Sequence, residues 1–225
     1  PETGKDITMG NSWKADVIID KSYPENQNLE NYRDFALYFQ DEDNILGTSF
    51  MPYLQNVAGL TGVNYRLEPW TYREDEGCEL GNMFTACVAA DQEPATPILK
   101  AHAGDRVMVN IFGAHNEQNQ MFNMDGHQWR RHLNQKGSDM IDVQQFGGGE
   151  YIQAFVNAGG SYSNPGTYLW LNARTPYQQA GQWGYFKVLP GGDRSILPLG
   201  GAAAPKAGKT ASKGAGDDVL SMNKQ

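Results

Sequence analysis

The chain has 225 residues, 40% of them hydrophobic and 11% aromatic, enough for one larger or two small domains with a buried core, which excludes a disordered chain as the reading of its bulk. The net charge is −8, and four of its lysines (Lys206, Lys209, Lys213, Lys224) fall in the last 25 residues against Asp217 and Asp218, so residues 1–200 stand at about −10. A body that acidic repels phosphates and argues against nucleic acid as a partner, and no apolar run approaches the roughly 20 residues of a membrane span.

Read in chain order, the elements are short and strand-like. Residues 1–12 are polar. Lys14–Asp20 is predicted as a strand around Val17, Ile18 and Ile19, and Arg33–Gln40 as a second, with Phe35, Leu37 and Phe39 on one face. Asp41–Asn44 reads as a solvated acidic turn, because it lacks the spaced oxygen ligands of a calcium loop. Cys78 and Cys87 bracket a ten-residue stretch in which Gly81-Asn82 can turn the chain back. A disulfide between them would place the protein in an oxidising compartment, and two free thiols are the alternative.

Regular alternation begins at Pro97. Strands are expected over Pro97–His102 and Arg106–Phe112, joined by a turn at Ala103-Gly104-Asp105, with Val107, Val109 and Ile111 on one face. Further strands are expected over Met121–Trp129, Met140–Phe146 and Glu150–Val156, the last two joined by a hairpin turn at Gly147-Gly148-Gly149. A closing hairpin pairs Thr167–Asn172 with Trp183–Val188 across a loop holding Pro176 and Gly181, and its aromatics, among them Tyr168, Trp170, Trp183, Tyr185 and Phe186, read as core rather than as a sugar-binding face. Short strands without helical crossovers predict an all-β Greek-key sandwich. The expected division is a β-rich N-terminal extension or partial second unit over residues 1–96, a sandwich domain over 97–190, and a Gly/Ala/Lys-rich tail over 191–225 that buries too little to order itself.

Pro97–Val107 (Pro-Ile-Leu-Lys-Ala-His-Ala-Gly-Asp-Arg-Val) and the closing hairpin Gly166–Pro190 resemble the cupredoxin domains of multicopper oxidases of the ceruloplasmin-like or bacterial manganese-oxidase-like kind, and Gly62–Pro69 resembles a stretch that introduces one such unit. The family's hairpin carries a copper-ligating pattern His-Cys-His-x3-His-x4-Met. The resemblance lays Leu171, Asn172 and Ala173 on His-Cys-His, Tyr177 on the next His and Gln182 on Met. It also lays Gln120 on the remaining type 1 histidine, and Asn123 and Asp125 on two histidines of the trinuclear half-site, which Leu171 and Ala173 would complete. A type 1 site needs a thiolate, two imidazoles and a weak axial group, and none of the type 1 positions supplies the thiolate or an imidazole.

The resemblance therefore implies a cupredoxin-like domain with its copper ligands lost, with no cofactor, a structural or assembly role beside other domains or chains of a larger oligomeric protein, and a secreted, extracellular or periplasmic location. Copper is the alternative cofactor. The alternative functions are a part of an active oxidase whose ligands lie in other domains or chains, and an extracellular binding module for protein or carbohydrate. Catalysis by the chain alone is not expected. His115, Asp125, His127 and His132 are the remaining candidate metal ligands.

Overall fold

A computed structural model of the chain describes residues 13–41, 61–85, 93–115 and 118–200, with His115 described by its backbone. The elements in these ranges are overwhelmingly strands: β1 (Lys14–Val17), β2 (Tyr32–Gln40), β3 (Gly62–Val63), β4 (Leu99–His102), β5 (Arg106–His115), β6 (Gln120–Met124), β7 (Trp129–Arg130), β8 (Met140–Ile141), β9 (Val143–Phe146), β10 (Tyr151–Asn157), β11 (Gly166–Asn172) and β12 (Trp183–Leu189). Two short helices accompany them, α1 (Trp70–Asp75) and α2 (Thr175–Gln179).

The strands form two facing sheets. One runs β1-β2-β5-β10 with β3 on β2; the other runs β4-β12-β11-β6-β9; a separate ribbon pairs β7 with β8. Most neighbours are antiparallel, but β2 lies parallel to β5 and β4 parallel to β12. The inward residues of both sheets make one core. Phe35, Leu37 and Phe39 from β2 and Val107, Val109 and Ile111 from β5 meet Phe122, Met124, Trp170 and Phe186 from the opposite sheet. Phe39 sits at its centre, edge-on to Phe122, Phe146 and Trp170. Period-two alternation fixes this arrangement, because alternate side chains of a strand share a face. The all-β sandwich is thus the architecture expected, and β2, from the N-terminal extension, is the immediate neighbour of β5.

Two expectations need correction. The glycine triplet at 147–149 does not close a hairpin. β9 pairs with β6 in one sheet and β10 with β5 in the other, so the triplet carries the chain between sheets. Gly149 adopts φ +77° there, and its N–H donates to Gly113 O at 2.8 Å while Gly113 N–H donates to Glu150 O at 2.9 Å. The loop between β11 and β12 holds α2, whose first turn accepts Pro176 because an N–H there would have no helical partner.

The closing hairpin depends on one close approach. Trp170 lies directly opposite Gly184, and its indole ring covers the glycine so closely that a Cβ there would stand 2.4 Å from Cζ2. The outward face of β12 is covered in turn by residues 61–85. Trp183 donates to Glu68 O, Tyr185 to Phe84 O, and buried Arg73 stacks its guanidinium over the Trp183 ring at 5.1 Å.

Candidate functional site

The four type 1 positions, scattered over 62 residues of sequence, meet at one end of the sandwich. Gln120 opens β6, Asn172 ends β11, Tyr177 lies in α2 and Gln182 precedes β12, and all four are fully buried. Asn172 is the hub. Its Nδ2 donates both to Gln120 Oε1 and, at 2.6 Å, to Gln182 Oε1. Its Oδ1 accepts from the backbone N–H groups of Met121 at 3.3 Å and Arg174 at 3.0 Å, which sets the orientation of the amide. Gln182 Nε2 donates to Gln40 O at 2.9 Å, tying the hairpin to β2.

A bulge in the β2–β5 pairing at Phe39/Gln40 brings β2 into this cluster. Strict alternation would turn every second residue outward, yet Phe39, Gln40 and Asp41 are all buried in succession. Asp41 is fully buried and accepts from Gln120 Nε2. This corrects the expectation of a solvated turn at this residue; residues 42–44 lie outside the described ranges. Tyr177 stands beside it. The hydroxyl reaches no partner in good hydrogen-bond geometry, and burial, joined by the nearby Asp41 carboxylate, pushes the phenol well above its ordinary range. Arg174 stacks over the Tyr177 ring at 4.9 Å and donates to Asn119 O and Gln118 Oε1, closing the cluster from outside.

The donor set does not fit copper. Where a thiolate would push electron density onto the metal, Asn172 presents N–H donors. The carbonyl oxygens of Gln120 and Gln182 that could face a cation are both accepting from that same amide. The arrangement is a hydrogen-bonded polar core, with buried donors and acceptors matched as interior amides must be.

The remaining candidates do not assemble into a site. Asn123 and Leu171 are directly paired on the outward face of β6 and β11, with Asn123 Nδ2 donating to Asp142 O at 2.9 Å; Asp125 and Ala173 are exposed nearby. His127 is buried and neutral. One ring nitrogen, Nδ1, donates to Asp125 O at 2.7 Å, and the other, Nε2, accepts from Gly159 N–H at 3.0 Å, so neither lone pair nor proton is left for a metal; burial lowers its pKa. His132 is exposed, and the side chain of His115 lies outside the described residues. Among the described residues no three His, Cys, Asp or Glu side chains converge as a metal-binding group.

One polar centre escaped the sequence reading. Arg33, on β2, is buried and donates to Asp16 on β1, to Asp105 in the β4–β5 turn at 2.6 Å, and to Leu197 O at 2.7 Å. It also faces His102 Nδ1, whose ring donates from Nε2 to Asp193 O. Its only sequence signal is a charged residue at a position where the alternation of β2 turns inward, opposite Asp16.

No protein-family model matches the chain. No curated protein matches it either. Solved structures do. It is similar to a multicopper oxidase from Campylobacter jejuni, described as a metallo-oxidase, at 12% identity and a TM-score of 0.45, over 71% of this chain and 31% of that one. It is similar to the McoA multicopper oxidase of the hyperthermophile Aquifex aeolicus at 13% identity and a TM-score of 0.43, over 78% and 31%. It is similar to the copper nitrite reductase of Nitrosomonas europaea at 14% identity and a TM-score of 0.38, over 49% and 37%. The chain spans between 31% and 37% of the length of these solved structures.

Proposed function

We propose that this chain is a copper-free, cupredoxin-like domain with a structural or assembly role in a larger multicopper-oxidase-like protein. The observation that supports it most strongly is the hub at Asn172, which stands at the position of the family's thiolate and satisfies the neighbouring positions with hydrogen bonds instead of a metal. A sandwich holds its shape through its apolar core, so a copy without ligands persists as a packing module. The division proposed is a β-rich N-terminal extension over 1–96 that lends β2 to the sandwich, the cupredoxin-like domain over 97–190, and the tail over 191–225.

A secreted, extracellular or periplasmic location belongs to the same reading, as does a Cys78–Cys87 disulfide. Cys78 is buried and is not a free thiol; Cys87 lies outside the described residues. The experiment that tests the assembly role is purification of the native chain from its source under mild conditions. The chain is expected to travel with a larger copper-containing protein in a fixed ratio. A lone monomer carrying its own stoichiometric copper would overturn the proposal.

A further inference from the structure

The outward face of the β1-β2-β5-β10 sheet carries aromatic residues where alternation leads to polar ones on a face washed by solvent. Toward one end, Tyr38, Phe112 and Tyr151 stack across three strands with ring centroids 4.7 and 4.8 Å apart. Toward the other, Tyr32 meets Phe155 edge-on at 5.8 Å. Tyr38 and Tyr151 are 42% and 48% exposed, so the described residues leave this face open. Between the two rows stands Asp34. It accepts from Asn110 Nδ2, while Asn110 Oδ1 accepts from Tyr151 Oη at 2.7 Å and from Gln153 Nε2 at 3.0 Å. Among the described residues Asp34 has no ion pair, and burial holds its carboxyl above the ordinary carboxylate range. A half-buried carboxylate framed by aromatic rings, with no cation of its own, suits an ammonium group.

The sequence supplies ammonium groups next to this face. Arg33 holds Leu197 O, and Gly200 lies against Asn31, where a Cβ would stand 3.1 Å from Nδ2. The residues after Gly200 therefore start beside the foot of β2. Asp34 is three residues along β2 from Asn31, about 10 Å at strand rise. Lys206, Lys209 and Lys213 follow Gly200 by six, nine and thirteen residues, and even the first can reach about 20 Å when extended. Between these lysines stand only Ala, Gly, Thr and Ser, which let a backbone come close to a flat face. Their charge is opposite to that of the acidic body. Tethering holds them at an effective concentration on the order of millimolar, enough to populate a contact that free peptides would barely make.

We infer that the segment Lys206–Lys213 docks across this aromatic face of its own chain, with a lysine ammonium seated on Asp34. The inference is independent of the assembly role. The test combines zero-length carbodiimide cross-linking of the full chain, read by peptide mass spectrometry on an equimolar mixture of ¹⁴N and ¹⁵N chains, with amide NMR. A link from Asp34 to Lys206, Lys209 or Lys213 within single-isotope chains is expected, with a yield that falls several-fold as salt rises to about 0.5 M. The triple variant Lys206→Gln, Lys209→Gln, Lys213→Gln touches no described contact of the sandwich, so it keeps the fold. It should shift the amides around Tyr32, Asp34, Asn110 and Tyr151 and leave the closing hairpin unmoved. Asp34→Asn, which keeps the shape and removes the charge, should move the amides of residues 206–213 in the direction that salt moves them. Lysine links that reach other carboxylates and spare Asp34 overturn the inference. So do links that mix the two isotopes, which would put a second copy on this face, or face amides indifferent to the triple variant.

Discussion

Asn172 carries more of the interior order than its size suggests, because it is the only member of the amide cluster that bonds to two side chains and two backbone N–H groups at once. Asn172→Ala strands the carbonyls of Gln120 and Gln182 and two backbone donors. Each unsatisfied buried group costs about 1–3 kcal/mol, so we expect a loss of about 3 kcal/mol or more in urea unfolding. Tyr177→Phe should behave in the opposite way. The hydroxyl is buried without a well-placed partner beside the Asp41 carboxylate, so its removal should leave stability unchanged or raise it by up to about 1 kcal/mol. A loss of more than that would mean the phenol is firmly bonded to Asp41. His127 predicts a pH dependence. Its folded pKa is lowered by burial, so the unfolded chain binds the proton more readily, and stability is fully present above about 6.5 and falls as pH drops below it. In His127→Gln, whose amide can both donate to Asp125 O and accept from Gly159, unfolding between about pH 5 and 7 should lose that slope relative to the parent.

At the scale of elements, the strands with the plainest period were legible. Phe35, Leu37 and Phe39, and Val107, Val109 and Ile111, face the core as alternation requires. What local pattern does not encode is which strand becomes a neighbour. A glycine triplet suits a hairpin and a crossing between sheets equally well, because both need a tight turn. The sheet is chosen by the core contacts of β9 and β10, not by the triplet. Asp41 was misread for a related reason. Its acceptor role depends on Gln120, 79 residues away, and on a bulge no local sequence announces. The resemblance did locate Gln120, Asn172, Tyr177 and Gln182, and these positions do converge, although their chemistry is that of a polar core. The hairpin therefore predicts a gain of function by grafting. The combined variant Gln120→His, Asn172→Cys, Tyr177→His and Gln182→Met should acquire bound Cu(II) with a strong band at about 600 nm, as a thiolate–copper site requires. A folded variant that takes up no copper would show that the loop around α2 does not keep the ligand spacing.

For the molecule as a whole, residues 13–41 and Leu197 are built into the sandwich. β2 lies in the centre of one sheet, residues 61–85 cover Trp183 and Tyr185 on the other, and Arg33 joins β1, the β4–β5 turn and Leu197 O in one buried network. Breaking a buried ion pair by deleting one partner leaves uncompensated charge, which is why these segments read as parts of one folded body. Among the described residues, stability then comes from the apolar core and these clamps. The most direct measurement is the copper content and visible spectrum of the full, unmodified chain after loading with Cu(II) and desalting. The account predicts far less than one copper per chain and no band at about 600 nm. Tightly held copper at about one per chain, lost in a His115, His127 or His132 variant, would contradict it and restore redox chemistry to this fold.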